Sequence, residues 1–512
     1  MRRALVVVSV LASGCFLDPT WADAFEVGAP IGTHESVVWP NQTHQELIVA
    51  VPDDERLVIT NVPVGNDATT IQWIAPTLDG TQVLAMVVPA SEKIEDVDDK
   101  LVRVAADGRG EPTELPMRAP FSSLALGPDG RRAVLHFGSG PGTDVLQNAN
   151  QVALVDLADD SVRDVTLNGF GGQLDSVQFP AKDGAPVLVG GIAREIIAFL
   201  AEGELVLVDA LADDLDQVAV RFFPDVPFSP IATHLRAGNE RFPNAALFVR
   251  AASGTDVAML TLVDQADPQT GAPGFSAQVS LVPVGDGASD LLTFDSSEAP
   301  YLVTVFATVL SFIDIRTQQG FTIELDGNAS RLALRNAETA NGIVPQLVAW
   351  AEGGTIIHQL DLDGIEDALG RRPERLTIET GIDALVWLDN DRVLVGSGTV
   401  LYVVDFPRGQ VTPLTSTVAY DPASSALAGD RLLLGTPGQS WVSVVDLVTL
   451  DPESMVLDRA VSAFFHLGAR DRLAIVHDDL SGLVTITDDR EPKRTTSYTT
   501  WDIFHAGTLE RR

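Results

Sequence analysis

Residues 121–138 read FSSLALGPDGRRAVLHFG, and residues 150–168 read NQVALVDLADDSVRDVTLN. Four short apolar runs lie in these two stretches, each bounded by turn residues. The first ends at Gly127-Pro128-Asp129-Gly130, and the third runs into Leu157-Ala158-Asp159-Asp160. Glycine supplies positive φ in such turns, while an Asp side chain bonds the backbone just after it. Runs of this length, rich in Val and Leu and closed by Gly and Asp, predict four strands meeting in an antiparallel sheet.

The third strand recurs along the chain as an apolar run ending in Asp. It appears as VALVD at Asp156, LVLVD at Asp209, LTLVD at Asp264, LSFID at Asp314 and IHQLD at Asp361. It returns as LYVVD at Asp405, VSVVD at Asp446 and VTITD at Asp488. Successive positions differ by 53, 55, 50, 47, 44, 41 and 42 residues, and a degenerate copy leads to Asp107. Periods of about 40–50 residues holding several short strands indicate the blades of a β-propeller. Asp156, Asp209, Asp264, Asp314, Asp405 and Asp446 are expected to close equivalent strands and to bond their own turns, not to hold metal.

Nine units begin near residues 70, 121, 174, 230, 288, 330, 382, 418 and 460. Before them stands an extra pair, Glu46–Val51 and Arg56–Asn61, bridged by Pro52-Asp53-Asp54. Rings usually hold about 4–8 blades. The expectation is therefore an all-β propeller of four-stranded blades, about eight of them with a range of seven to nine, over residues 46–501. Residues 1–14 form a signal, 15–45 a tether and 502–512 a tail. One short helix is allowed, at Ile365–Gly370.

These strands resemble known repeat families. The apolar run ending in Asp is similar to the strand ending of WD-type repeats, and VSVVD and LYVVD resemble the YVTN-type repeats of bacterial surface proteins. LGPDGRRAVL resembles the Pro-Asp-Gly hairpins of TolB-like propellers. The WD tryptophan and the YVTN tetrapeptide are both absent, so the resemblance implies an architecture and not one family.

Composition narrows the class. The 512 residues are 45% hydrophobic, enough for a core, so the disordered class is excluded. The 71 Asp and Glu against 34 Lys and Arg give a net charge of −37, a field that repels phosphate backbones. No nucleic-acid partner is expected. The basic residues are almost all Arg, with Lys only at Lys93, Lys100, Lys182 and Lys493, which reads as composition bias.

The one cysteine, Cys15, follows Met1-Arg2-Arg3, the apolar run Ala4–Leu11 and Ala12-Ser13-Gly14. A basic start, a brief apolar run and small residues predict an export signal too short to span a bilayer. Ala12-Ser13-Gly14-Cys15 resembles a bacterial lipobox, which implies lipidation at Cys15 and anchoring in the outer membrane, facing the periplasm or the surface. Ala12 stands where that family usually has Leu. Ordinary cleavage after Ala22-Asp23-Ala24 is the rival reading. No disulfide can form, because no second Cys exists.

The sequence carries little recognisable chemistry. It shows no nucleophile elbow, P-loop, dinucleotide fingerprint or zincin helix in a credible context. No catalytic residue, metal ligand or cofactor is expected: Asp478-Asp479 and Asp488-Asp489 read as solvated turns, His34 and His44 as surface imidazoles, and Gly138–Gly142 as a loop. Three insertions, Gly138–Asn150, Gln265–Gln278 and Asp361–Arg375, are either places for recognition or surface loops lengthened by neutral drift. Four second strands start at Arg131, Arg392, Arg431 and Arg472, and five residues on each reaches a polar group: His136, Ser397, Thr436 and His477. These four form a candidate ligand face. The plainer alternative has them bonding their own turns. Two functions follow. One is a non-catalytic binding or scaffold lipoprotein whose partner is an envelope protein or glycan. The other is a metal-dependent enzyme resembling lactonase or hydrolase propellers, with its site at the central channel.

Overall fold

The computed structural model describes residues 26–504, except 54–55, 91–97, 139–147, 149, 169–173, 180–185, 202–203, 213–216, 222–227, 237, 240, 244, 252–255, 267–270, 272, 285–286, 340–341, 368–371, 398–399, 415–424, 429, 437, 479–481, 494–495 and 502. Cys15 and most of the Gly138–Asn150 insertion lie outside the described residues.

Among the described residues the strands form ten four-stranded antiparallel sheets, so the chain is an all-β propeller of four-stranded blades. Numbered in chain order, blades 1 to 10 span residues 31–63, 69–116, 123–166, 174–221, 228–283, 290–324, 331–377, 384–414, 425–456 and 461–500. In each, the strands neighbour one another in chain order. Blade 4 alone carries an added hairpin, Val187–Val189 with Ile192–Arg194, between its first and second strands.

Ten blades correct the expectation of about eight. All nine units read from the sequence form sheets, and the extra pair is half of a tenth. Glu46–Pro52 and Leu57–Pro63 are joined by Ile31–Gly32 and Val37–Asn41, which the expected tether contained. A two-residue strand is too short to show periodicity, and Pro40 within VVWPN argues against a strand. The usual ceiling on blade number pulled the expectation down further.

All eight aspartates of the repeat lie in third strands. Seven are the last residue of theirs; Asp264 sits two before the end of Asp256–Ala266. That strand pairs with Pro273–Pro283 along its whole length, so the Gln265–Gln278 insertion is a lengthened hairpin. In the Asp361–Arg375 insertion Ile365–Asp367 forms one 3₁₀ turn, and buried Ile365 joins the core between blades 6 and 7.

The blades fall into two compact units: residues 1–120, 437–441 and 455–512, and residues 121–436 with 442–454. In the first, blade 1 packs Val37, Trp39 and Ile48 against Ala474, Val476 and Ile486 of blade 10. Its other face packs Val38 and Leu47 against Val83 and Ala85 of blade 2. Gly32 fits because a Cβ there would stand 2.5 Å from the Phe465 ring. In the second unit successive blades repeat the arrangement, with Phe199 between blades 3 and 4, Phe248 between 5 and 6, and Phe312 between 6 and 7. Burying such a side chain stabilises by about 1.5–3 kcal/mol. Second and third strands of blades 1, 4, 5, 6 and 7 are apolar on both faces because each is covered from both sides.

Candidate functional site

The end of each sheet where the third strand stops holds most of the ordered charge. Asp156, Asp209, Asp314, Asp446 and Asp488 each accept, through Oδ1, the backbone N–H two residues on, at 2.7–3.1 Å. The turn role read from the sequence is thus their geometry. The same carboxylates also hold arginines: Arg131 and Arg132 on Asp156, Arg194 on Asp209, Arg431 on Asp446 and Arg472 on Asp488. Burial works to raise the Asp156 carboxyl, but hydrogen bonds from Arg131 and the Ala158 N–H, with Arg132 nearby, hold it below the usual range. Asp446 is held low in the same sense by the Thr449 and Val448 amides and Arg431, against its burial.

Two of these arginines, and three others at the same end, reach the next blade. Arg132 of blade 3 meets Glu195 of blade 4 at 2.9 Å, and Arg194 donates to the Gly274 carbonyl of blade 5 at 2.8 Å. Arg236 of blade 5 pairs with Asp295 of blade 6 at 2.8 Å, and Arg392 of blade 8 donates to the Leu447 carbonyl of blade 9 at 3.0 Å. Within the first unit, Arg470 of blade 10 meets Glu35 of blade 1 at 2.6 Å. A planar guanidinium with five donors can serve two blades at once, which the compact ammonium of Lys does less well. The arginine excess that reads as composition bias therefore has structural work at this end of the sheets.

Between blades 8 and 9, within the second unit, this charged end opens into a cleft of about 600 Å³. Asp389, Arg392, Asp405 and Arg408 line it, with Val448 and Leu450 opposite. Its charges are set in place: Arg392 pairs with Asp389 at 2.8 Å and Arg408 with Asp405 at 3.2 Å. Burial would raise the Asp389 carboxyl, yet Arg392 and the Asp391 and Arg392 amides bring it below the usual range. Arg408 is 74% exposed, and Val448 is 69% exposed, so a charged and an apolar group face solvent in one recess. The sequence reading missed this cleft, although Arg392, one of its walls, served to align the second strands.

The four residues of the expected ligand face do share a register, each at or just beyond the end of a second strand. Their surroundings differ. His477 is buried, with Nδ1 3.1 Å from the Arg459 carbonyl and Nε2 2.8 Å from Thr485 Oγ1. Ser397 is buried too, and its hydroxyl bonds Thr380 and the Gly381 carbonyl. His136 is half-buried, with one long contact of 3.4 Å from Nδ1 to the Phe137 carbonyl, and burial pushes its imidazole below the ordinary value. Thr436 is exposed. His477 belongs to one compact unit and the other three to the second. Among the described residues no group of three or more His, Cys, Asp or Glu is arranged to hold a metal ion.

No protein-family model matches the chain, and no curated protein matches it. Among solved structures it is similar to the dihydro-heme d1 dehydrogenase NirN in complex with DHE. That match is 14% identical, covers 79% of this chain and 80% of the other, and has a TM-score of 0.40. A eukaryotic initiation factor matches at 11% identity over 92% and 98% of the two chains, TM-score 0.42. Apo AztD from Citrobacter koseri matches at 10% identity over 85% and 96%, TM-score 0.32.

Proposed function

We propose that the protein is an exported lipoprotein, anchored through Cys15, whose propeller is a non-catalytic binding module of the cell envelope. The cleft between blades 8 and 9 carries this reading. It has the volume of a ligand site, an apolar wall and charged groups fixed in advance by their own partners. Charges so positioned orient and select a partner without being spent on proton transfer. The export signal and the small residues before Cys15 support the anchor. The partner is an envelope protein or glycan.

A photo-crosslinker at Val448, irradiated in intact envelopes, is expected to yield one dominant adduct, protein or glycan. Combined Val448→Glu and Arg408→Glu changes are expected to abolish specific envelope capture while leaving thermal unfolding unchanged. Capture that persists in that double variant overturns the cleft assignment. Labelled fatty acid is expected on the wild-type chain and absent from Cys15→Ser; a mature N-terminus at Phe25 overturns the anchor.

A further inference from the structure

The outermost strand of blade 5, Pro273–Pro283, differs from its counterparts. It is eleven residues long, whereas the outer strands of the other nine blades run from three to seven. Its sequence, PGFSAQVSLVP, holds no charged residue, in a chain whose net charge is −37. It is last in its sheet, and among the described residues no strand pairs with its outer edge. Natural edge strands are usually blunted by brevity, by charge or by an internal proline. Here the prolines stand only at the two ends.

Pleating sorts the side chains. Phe275, Ala277, Val279 and Leu281 share one face with Asp256, Ala258, Leu260, Leu262 and Asp264, their partners on the neighbouring strand being on the same face. Phe275 is buried beside Val187 and Val189 of blade 4. Further along, Val279 and Leu281 emerge 47% and 61% exposed. Asp264 and Asp256, opposite Phe275 and Pro283, put a carboxylate near each end of this apolar strip. They are eight residues apart on one strand, about 26 Å at roughly 3.3 Å per residue. Asp264 has Arg194 Nη2 at 3.7 Å, and its own side chain is 46% exposed.

We infer that this edge takes up an extended segment of a basic partner protein as a fifth strand of blade 5. Backbone hydrogen bonds to the free edge supply the affinity, as in β-strand addition, and side-chain positions set the choice. The segment places apolar side chains at alternate positions beside Val279 and Leu281, and at its two ends Lys or Arg, whose long side chains reach across the edge strand toward Asp256 and Asp264 on the strand behind it. A second copy of this chain is the disfavoured occupant, because it would bring its own charge of −37 to the contact.

The probe is the synthetic peptide KTVTVTVTK, added to the full chain, with amide exchange and fluorescence anisotropy as readouts. The expected result is saturable binding with new amide protection over residues 277–283. ETVTVTVTE is expected to bind about tenfold more weakly at low salt, as two exposed ion pairs would dictate. Asp256→Asn with Asp264→Asn is expected to shrink that preference without preventing binding. Val279→Lys with Leu281→Lys, both at exposed positions and so compatible with folding, is expected to abolish it. Binding without protection at 277–283, or no binding by either peptide, overturns the proposal. So does a concentration-dependent dimer of the unliganded chain that protects those same amides.

Discussion

The two ends of the second and third strands obey different rules. Where third strands stop, an aspartate closes its own turn, holds an arginine, and that arginine often reaches the next blade. Where second strands stop, the register repeats but the chemistry does not: His477 and Ser397 are internally bonded, His136 is half satisfied, and Thr436 is free in solvent. Arginines at the first end join several neighbouring blades within each unit, so the same constraint recurs along the chain. The other end carries loops of unequal length, and each residue there answers only to its own surroundings.

The sharpest way to break the comparison is at the deepest pair. Arg194 and Asp209 are each 4% exposed, and Arg194 also serves Gly274 and lies over the Phe275 ring at 5.5 Å. Asp209→Ala leaves a buried guanidinium without its principal counter-charge, which typically costs about 3–5 kcal/mol. Equilibrium denaturation is expected to show a loss in that range, with amide exchange accelerating first in blades 4 and 5. The corresponding Asp446→Ala removes a partly exposed pair and two exposed amide bonds that water can replace, and its loss should be no more than about 2 kcal/mol. Equal losses at the two sites would mean that the pairs do not act through burial.

This contrast also explains what was legible beforehand. The apolar run before each Asp is a local pattern with a local cause, turn closure, so eight copies and nine units could be read directly. Arginine contacts between blades join residues 63 or 80 positions apart, as for Arg132 with Glu195 and Arg194 with the Gly274 carbonyl, and no local pattern records them. The four aligned arginines were visible, but nothing in the sequence shows that the heads of Arg131, Arg431 and Arg472 pair with the Asp of the next strand while Arg392 turns to Asp389. Blade 1 hid for a different reason: its first strand has two residues and its second contains a proline. The cleft hid because its walls come from two blades, as Arg392 and Val448 illustrate.

A smaller effect separates the histidines. His358 in the third strand of blade 7 is 1% exposed, and burial pushes its imidazole below the ordinary value, with a backbone contact at Gly327 opposing. A histidine whose folded pKa is depressed favours folding while neutral. Its contribution is full above about 6.5 and is lost as pH falls below that value. Asp99 works in the opposite sense: burial, with Asp98 beside it, pushes its carboxyl up to about 6, so its penalty lifts as pH falls through that value. Wild type is therefore expected to lose stability relative to His358→Leu between pH 7 and 5, by at most about 1.4 kcal/mol per pH unit. Asp99→Asn should deepen the acid loss. Parallel pH profiles for wild type and His358→Leu would remove His358 from the account.

The smallest expected difference lies within the irregular end itself. Ser397 and Thr436 occupy corresponding places in blades 8 and 9, the last residue of one second strand and the first beyond the other. The Ser397 hydroxyl is buried between Thr380 and the Gly381 carbonyl; Thr380 is exposed and can turn to water, so Ser397→Ala leaves the Gly381 carbonyl short of a partner. A lost buried hydrogen bond of this kind typically costs about 1 kcal/mol. Thr436 faces water, which replaces whatever its hydroxyl gave up, and Thr436→Ala should stay within about 0.5 kcal/mol of wild type. Denaturant midpoints for the two variants measure the gap directly. If Thr436→Ala were the more damaging change, this end of the sheets would be held by contacts of the exposed hydroxyl, and Thr436 would return as a candidate for partner binding.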